Sequence, residues 1–475
     1  MQESINVRGS GYHIHIKEIF TEIFTPFNGF LEQYYGFNAT EVYNVIENLD
    51  SLVYSKIGNP FGATHSHKRL TEWMENIGEE KVMEEMMKTG KHFIRQFTEA
   101  NPDLYDESNP DVVTSQSLDN ISGYSKIFWV IPQTAKETLI FERLSHEFSG
   151  NANFFQPPKF KAFPLNDSII KKRPLIKENG KFYHFSMNLA FRNVFKIVEE
   201  LIKDADEIYY ENSFKGNSNS QSRDNYLENK TIELFQRIVP SGTFYHSLDY
   251  EFNDNGKQKK TELDVLGISG DTAYIIEVKA GELNEKHRRG ALKGLKDRLE
   301  ETINEGSYQC HRALNYILEN ETPTFEYVQD QSRKTLTIDK NTVKEFHKIS
   351  VTLEHFSSIS ANLKYLIESG VLSPDFKWTW IVSLYDLMIF ADIIESENDF
   401  KEFLQYRIGL YDRNDIEFSD EIDILGFYLE GNFPLGAESS ENTTFIVNYK
   451  EQIDDYYQKT GVGMPGVSKP KKKTK

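Results

Sequence analysis

The sequence is poor in cysteine and has no long, uninterrupted apolar run. Its single cysteine, Cys310, excludes an intrachain disulfide, which is typical of a protein from a reducing compartment. The longest apolar stretch, residues 378–390, contains Asp386 and is too short to cross a bilayer. The N-terminus also lacks the apolar run of a secretory signal. These absences predict a soluble, cytoplasmic protein with no membrane partner.

Positive charge is also in short supply. The chain has 54 Lys and Arg residues against 73 Asp and Glu residues, a formal net charge of -19. This balance argues against a protein that coats nucleic acid without specificity, because most of its surface would repel phosphate. It leaves room for an enzyme with a local basic cleft, since a bound metal ion also lowers the local negative charge. The sequence contains no Walker loop, no helicase or methyltransferase signature and no internal repeat.

The chain is long enough for several domains and apolar enough to pack them. It has 475 residues, of which 39% are hydrophobic, so we expect two or three globular domains. Shifts in composition and breaks rich in Pro, Gly, Asn and Ser predict five segments. These are a mainly helical N-terminal domain (1–150), an adaptor (151–205), a central domain (206–395), an α-rich C-terminal extension (396–460) and a disordered basic tail (461–475).

Residues 261–281, TELDVLGISGDTAYIIEVKAG, place charged side chains inside two otherwise apolar segments. Gly270-Asp271 is a favoured two-residue hairpin loop, so it predicts two antiparallel strands in which Ser269 pairs with Thr272. Counting outward from the loop sets Asp264 opposite Glu277, and opposed residues share a face of the sheet. One face is therefore predicted to carry a compact square of Glu262, Asp264, Glu277 and Lys279. The other face is predicted to be core, formed by Leu263, Val265, Tyr274, Ile276 and Val278.

Three carboxylates and a lysine in such a strand pair need compensation. Burying them is costly, and like charges a few ångströms apart resist ionising together. A Mg²⁺ ion would relieve both problems, because it takes oxygen ligands from one or two carboxylates and a phosphate. The alternative interpretation is that Glu277 and Lys279 lie on an ordinary solvated face and that Asp264 simply ends a strand. Ile275, Ile276 and Val278 surround the acid and favour a buried site for metal-assisted phosphodiester hydrolysis.

The order Asp264, a turn, and then Glu277-Val278-Lys279 at the end of a buried strand resembles the PD-(D/E)XK, or restriction-endonuclease-like, nuclease superfamily. Leu263 stands where that superfamily expects proline. The resemblance implies an α/β fold for residues 206–395, with a restriction-endonuclease-like core in which helices flank a central mixed sheet.

The resemblance also implies roles for individual residues. Asp264, Glu277, Lys279 and Gln309 are the expected catalytic residues, with Lys279 orienting a water or stabilising charge on a phosphoryl oxygen. Asp264 and Glu277 are expected to hold Mg²⁺, or Mn²⁺ in its place. Glu228, on a predicted helix over residues 223–238, is expected to complete the metal's ligands directly or through water, and Glu233 is a weaker match for that role.

A basic segment follows Lys279 directly, and its residues are predicted to bind nucleic acid: Lys286, Arg288, Arg289 and Lys293. The alternative is a solvated helix start in which Glu300 and Glu301 pair with the lysines.

The resemblance implies a Mg²⁺-dependent endonuclease that cleaves DNA in prokaryotic defence, with sensors or oligomerisation surfaces in the flanking regions. The competing hypothesis is a catalytically inactive nuclease-like scaffold that binds nucleic acid or a protein partner.

Overall fold

The chain folds into two units. The computed structural model describes residues 11–58, 72–78, 96, 99–100, 127–155, 168–216, 219–254, 256–281, 292–376, 378–433, 443–461 and 463–473. The large unit comprises Met1–Ile23 with Asn212–Lys475, and the small unit comprises Phe24–Glu211. The sequence-based division grouped the chain differently, because it assigned residues 1–150 to one domain and separated 396–460 from the central domain.

Helices and strands alternate through most of the chain. The helices that organise the two units are α1 (His13–Phe24), α2 (Asn28–Tyr35), α3 (Ala39–Gly58), α4 (Ala135–Arg143), α5 (Leu189–Arg192), α6 (Val194–Ala205), α7 (Arg223–Ile238), α8 (Leu292–Leu299), α9 (Glu305–Glu319), α10 (Ser358–Ala361), α11 (Lys364–Glu368), α12 (Leu384–Ile393), α13 (Glu397–Gly409), α14 (Glu421–Leu429) and α15 (Glu451–Gly461). The strands are β1 (Trp129–Val130), β2 (Ser145–Glu147), β3 (Leu175–Glu178), β4 (Lys181–Tyr183), β5 (Thr243–Asp254), β6 (Lys257–Ser269), β7 (Thr272–Lys279), β8 (Thr324–Gln329), β9 (Ser332–Thr337), β10 (Glu345–Thr352), β11 (Trp380–Ser383), β12 (Ile416–Phe418) and β13 (Thr444–Ile446).

The large unit is built on a seven-stranded mixed sheet in the order β11-β10-β7-β6-β5-β8-β9. Strands β7, β10 and β11 run parallel, and the remaining neighbours are antiparallel. Helix α9 packs on one face, where Cys310 shares a buried cluster with Ile275. Helix α7 packs on the other face, where the Phe235 ring lies 6.4 Å from that of Tyr274. This arrangement confirms the predicted α/β class with a central mixed sheet between helices.

Several local predictions in the large unit are confirmed. Helix α7 has the predicted bounds, and Ser269 pairs with Thr272 across the predicted hairpin loop. Cys310, the single cysteine, is a fully buried core residue. Between α9 and β10, the hairpin β8–β9 extends the sheet beyond β5, because β8 pairs with β5.

The small unit contains a four-stranded sheet in the order β1-β4-β3-β2. Asn179 and Gly180 form the tight turn between β3 and β4, and both have positive φ angles, of 50° and 75°, as is typical of an Asn-Gly hairpin loop. The short apolar run at residues 127–131 contains β1, which pairs with β4. Among the described residues of both units, no helix combines the length and apolar character that a membrane span requires.

The basic tail predicted to be disordered is instead docked on the large unit. The Lys469 ammonium lies 2.7 Å from the Asp392 carboxylate, and Lys472 pairs with Asp399 at 3.3 Å and also with Glu402. The prediction was wrong for residues 463–473 because it used local composition alone. The acidic partners lie on α12 and α13, some 70 residues earlier in the chain.

Candidate active site

The candidate site lies where β7 ends, beside β6, β10 and α9. The β6–β7 ladder follows the predicted register but its last pair is Val265 with Ile276, one residue short of the predicted Asp264–Glu277 pair. Beyond that pair, the backbone N–H of Val278 donates to Asp264 Oδ2 at 2.7 Å. The Asp264 carboxylate thus takes over the hydrogen bonding at the point where the backbone ladder stops, which fixes its orientation.

The side-chain alternation of β5 and β6 shifts by one residue near Asp264. Leu263 and Leu266 both lie in the buried cluster under α9, although residues three apart on a regular strand point to opposite faces. On β5, Leu248 lies in the same cluster and Tyr245 packs against it. Ser247, between them, has φ of 52°, a left-handed conformation that interrupts regular strand geometry.

This shift corrects the predicted square of charges. Thr261 Oγ1 accepts a hydrogen bond from Arg312 on α9 at 2.7 Å, so the neighbouring Glu262 points away from α9. Glu277 faces α9, on the same side as Ile275. Glu262 therefore lies on the opposite side of the sheet from Glu277, and Leu263 does not lie on the predicted face.

Three predicted residues meet directly at the end of β7. Glu277 is only 2% exposed. The Lys279 ammonium donates to Glu277 Oε2 at 3.0 Å and also to Gln309 Oε1 on α9. The predicted grouping of Glu277, Lys279 and Gln309 is therefore present, and a helix 30 residues away in sequence orients the lysine.

The charged groups at this end of β7 shift one another's pKa values. Burial raises the pKa of Glu277 well above its ordinary value, and the Asp264 charge raises it further, against the opposing effect of Lys279. Burial lowers the pKa of Lys279, but the charges of Glu277 and Asp264 outweigh it and raise that pKa overall. Glu277 Oε1 is buried without a hydrogen-bond partner. A cation at this oxygen would relieve the crowding of negative charge.

Glu228 of α7, the predicted third acid, lies within electrostatic reach of Asp264, and its role as a metal ligand stays a prediction. Burial raises its pKa to about 7, with further contributions from Asp264, Glu262 and Asp224. Glu233, the weaker candidate, is instead engaged by Lys230, whose ammonium lies 3.1 Å from it. The same ammonium also pairs with Glu18 and Glu22 of α1.

The donor set suits a metal ion held by few protein ligands. Among the described residues, no group of three or more His, Cys, Asp or Glu side chains is arranged to hold a metal ion. Mg²⁺ commonly binds through one or two carboxylates and completes its coordination with water and phosphate oxygens. Asp264 and Glu277 fit that mode, because the Asp264 charge helps to raise the pKa of Glu277 and Glu277 Oε1 has no hydrogen-bond partner.

The predicted nucleic-acid-binding residues are only partly covered by the structure. Lys286, Arg288 and Arg289 lie outside the described residues. Lys293 is exposed on α8, which a π-helical turn, Glu300–Asn304, joins to α9. The alternative of ion pairing along this helix is confirmed for Lys296, whose ammonium lies 3.6 Å from Glu300.

Sequence reasoning missed a serine on β10 that adjoins the site. Ser350 pairs in register with Glu277 and is fully buried, and its hydroxyl has no hydrogen-bond partner. A Cβ atom on Gly306 of α9 would lie 2.5 Å from that hydroxyl, so only glycine permits this approach of helix to strand. Local sequence could not predict that Ser350 lies beside Glu277, because β10 follows β7 by about 70 residues.

Replacing Ser350 with alanine is expected to raise the free energy of unfolding by about 1 kcal/mol, because a buried hydroxyl without a partner costs stability. Urea denaturation would measure it. Ser360→Ala is the matched control, since its buried hydroxyl donates to the Ser357 carbonyl at 2.9 Å, and it is expected to lose about 1 kcal/mol. Equal losses in both variants would contradict this account of Ser350.

Comparisons with known proteins give no family assignment. No family model matches the chain, and no curated protein matches it. Among solved structures, protein VC1899 from Vibrio cholerae aligns with 10% sequence identity and a TM-score of 0.18. The alignment covers 50% of this chain and 41% of that protein, so this chain spans less than half of its length. A similarity this low carries no argument about fold or function.

Proposed function

We propose that the chain is a Mg²⁺-dependent endonuclease with a restriction-endonuclease-like core, and that it hydrolyses phosphodiester bonds of DNA. The observation that carries the proposal is the Lys279 ammonium, which contacts both Glu277 and Gln309 beside a buried carboxylate oxygen without a partner. Most buried polar atoms have a hydrogen-bond partner, so a buried carboxylate oxygen without one calls for an explanation such as a bound ion. A role in prokaryotic defence against foreign DNA is part of the proposal and rests on the resemblance alone.

The order of elements supports the same proposal. Helix α7 precedes the strands β5, β6 and β7, and helix α9 and strand β10 follow them. This is the helix, three strands, helix, strand order that the resemblance implies. The site lies at the carboxyl ends of the parallel strands β7 and β10, where open α/β sheets commonly bind ligands.

Each residue has a distinct task in the proposed reaction. Asp264 and Glu277 would hold the metal, which when bound activates a water and withdraws charge from the phosphoryl group. Lys279 holds a positive charge beside the carboxylates, where it orients the water or stabilises charge that develops on a phosphoryl oxygen. Gln309 positions Lys279 by accepting its hydrogen bond. The Val278 N–H keeps the Asp264 carboxylate turned toward this end of the strand.

A second candidate function is the same scaffold without catalysis, serving as a binding module. The observation that favours it is the excess of acidic over basic residues, 73 against 54. The net charge of -19 favours a protein partner for such a module. In that case no metal binds, and variants at Asp264 and Lys279 behave as the wild type does.

The two candidates are separated by metal titration together with a cleavage assay on the full chain. We expect labelled DNA to be cleaved in Mg²⁺ and left intact in excess chelator. We also expect calorimetry to detect Mn²⁺ binding to the wild type and not to Asp264→Ala. Cleavage that persists in chelator would remove the metal from the proposal. A wild-type chain that neither binds Mn²⁺ nor cleaves DNA or RNA would contradict the nuclease and favour the binding module.

A further inference from the structure

The β5–β6 hairpin carries different charges on its two faces. Next to the site, the strand register places six residues on the face toward α9: Leu248, Tyr250, Phe252, Lys259, Thr261 and Leu263. Leu248, Tyr250 and Leu263 are buried under α9, whereas Thr261 and Phe252 are half-buried and Lys259 is exposed at the margin of this face. The opposite face displays Asp249, Glu251, Lys260 and Glu262. Within residues 248–252 and 259–263, all three carboxylates therefore lie on the face that points away from α9.

Cations and aromatic rings alternate on the α9 side of this hairpin. The Arg312 guanidinium of α9 lies 5.1 Å from the Phe252 ring centroid and 5.4 Å from that of Tyr308. Its Nη2 donates to Thr261 Oγ1 at 2.7 Å, which fixes the guanidinium against the hairpin. Lys259 is exposed and lies directly opposite Phe252 on the neighbouring strand. Phe252 is therefore flanked by two positive charges.

These cations continue outward from the candidate site. Gln309 and Arg312 are three residues apart on α9, so their side chains are neighbours on the helix surface. Gln309 in turn accepts a hydrogen bond from Lys279. Lys279, Arg312 and Lys259 thus form a row that runs from the buried carboxylates along the hairpin.

We propose that the accessible margin of this face, formed by Lys279, Arg312, Phe252 and Lys259, is the track for the sugar–phosphate backbone of a nucleic-acid strand, with the bond to be cleaved at Glu277 and Lys279. This inference rests on the proposed nuclease function and names the surface that holds its substrate. A chain with a net charge of -19 can attract a polyanion only where cations gather and carboxylates are turned away. The half-buried Phe252 ring adds an apolar surface against which a base or sugar packs.

Two adjacent lysines provide the test, because Lys259 lies on the proposed track and Lys260 lies on the opposite face, where it pairs with Asp249 at 2.8 Å. Binding of a labelled oligonucleotide to the full chain is measured in excess chelator, so that cleavage plays no part. Lys259→Glu is expected to weaken binding roughly 10-fold and to reduce the salt dependence by about one phosphate contact. Lys260→Glu, with the same change of charge, is expected to leave the affinity unchanged.

Separate arms with single-stranded DNA, single-stranded RNA and duplex DNA identify the kind of strand. Lys259→Gln removes the positive charge without adding a negative one and is expected to give an intermediate loss, and thermal melts check that each variant folds. Equal losses in Lys259→Glu and Lys260→Glu would overturn the track, since they indicate general repulsion. If the wild type cleaves DNA and Lys259→Glu binds the oligonucleotide as tightly as the wild type does, the track is overturned and the proposed nuclease function stands. A wild type that neither binds nor cleaves any of the three would overturn the proposed function with it.

Discussion

Replacing Asp264 with asparagine is expected to lower the rate of DNA cleavage at least about 100-fold, because a neutral amide is a poor ligand for Mg²⁺. The fold should survive, since the side-chain amide oxygen in D264N can still accept the hydrogen bond that the Val278 N–H donates at 2.7 Å. Single-turnover cleavage of labelled DNA measures the effect, and calorimetry with Mn²⁺ shows whether the metal site is lost with it.

Lys279→Met is expected to lower the rate by about 100- to 1,000-fold, because it removes a charge that stabilises the phosphoryl oxygens only as negative charge develops on them. Unlike D264N, it leaves both carboxylates in place, so Mn²⁺ binding is expected to persist. The split between metal binding and rate separates the two roles. If both variants lose both Mn²⁺ binding and DNA cleavage, the result would instead indicate that the structure of the whole site is disrupted.

The matched control lies at the other end of the same hairpin. Asp271 is exposed in the loop between β6 and β7, and Asp271→Asn makes the same change of charge as D264N. We expect this variant to cleave at the wild-type rate. A D264N protein that retains full activity, or an Asp271→Asn protein that loses it, would contradict the assignment of the metal-binding carboxylates.

The parts of the fold that local patterns specify were predictable from the sequence. Gly270-Asp271 sets a two-residue loop, and such a loop fixes the register of the strands that it joins. Glu277 and Lys279 are two apart on one strand, so their common face follows from strand geometry alone. Their neighbours are apolar, which predicted the burial of Glu277. Local sequence therefore identified the centre of the candidate site.

The remaining features depend on contacts that local sequence does not encode. Regular alternation of side chains predicts Glu262 on the same face as Glu277. In the structure, the side-chain alternation of β5 and β6 shifts by one residue near Ser247, whose backbone is left-handed. Ser350 lies beside Glu277 only because β10 pairs with β7 in parallel, after two helices and a hairpin have intervened. Lys472 meets Asp399 across 73 residues, so its ion pair could not be predicted from the composition of the tail.

The C-terminal extension shows the same dependence on distant contacts. Sequence composition separated residues 396–460 from the α/β domain, but in the structure they belong to the large unit. Arg407 of α13 and Glu421 of α14 form a pair that is 0% and 1% exposed, with Nε–Oε1 and Nη2–Oε2 distances of 2.8 and 3.0 Å. The Trp380 indole of β11 donates to the same carboxylate at 2.6 Å. The extension is thereby joined to the edge of the central sheet.

Arg407→Met is therefore expected to lower the free energy of unfolding of the large unit by about 3–5 kcal/mol, because it leaves the buried Glu421 carboxylate without its counter-charge. Urea denaturation would measure the loss. Arg333→Met is the matched control, since Arg333 pairs with Glu326 at 3.5 Å on the surface, and it is expected to lose less than about 1 kcal/mol.

The double variant Arg407→Met/Glu421→Leu decides whether charge is the cause. Removing both charges leaves apolar side chains of similar size, and such replacements of buried ion pairs are often neutral or stabilising. We therefore expect the double variant to recover most of the stability that Arg407→Met loses. A double variant as unstable as the single one would show that the shape of the Arg407 side chain, rather than its pairing with Glu421, holds α13 and α14 against β11.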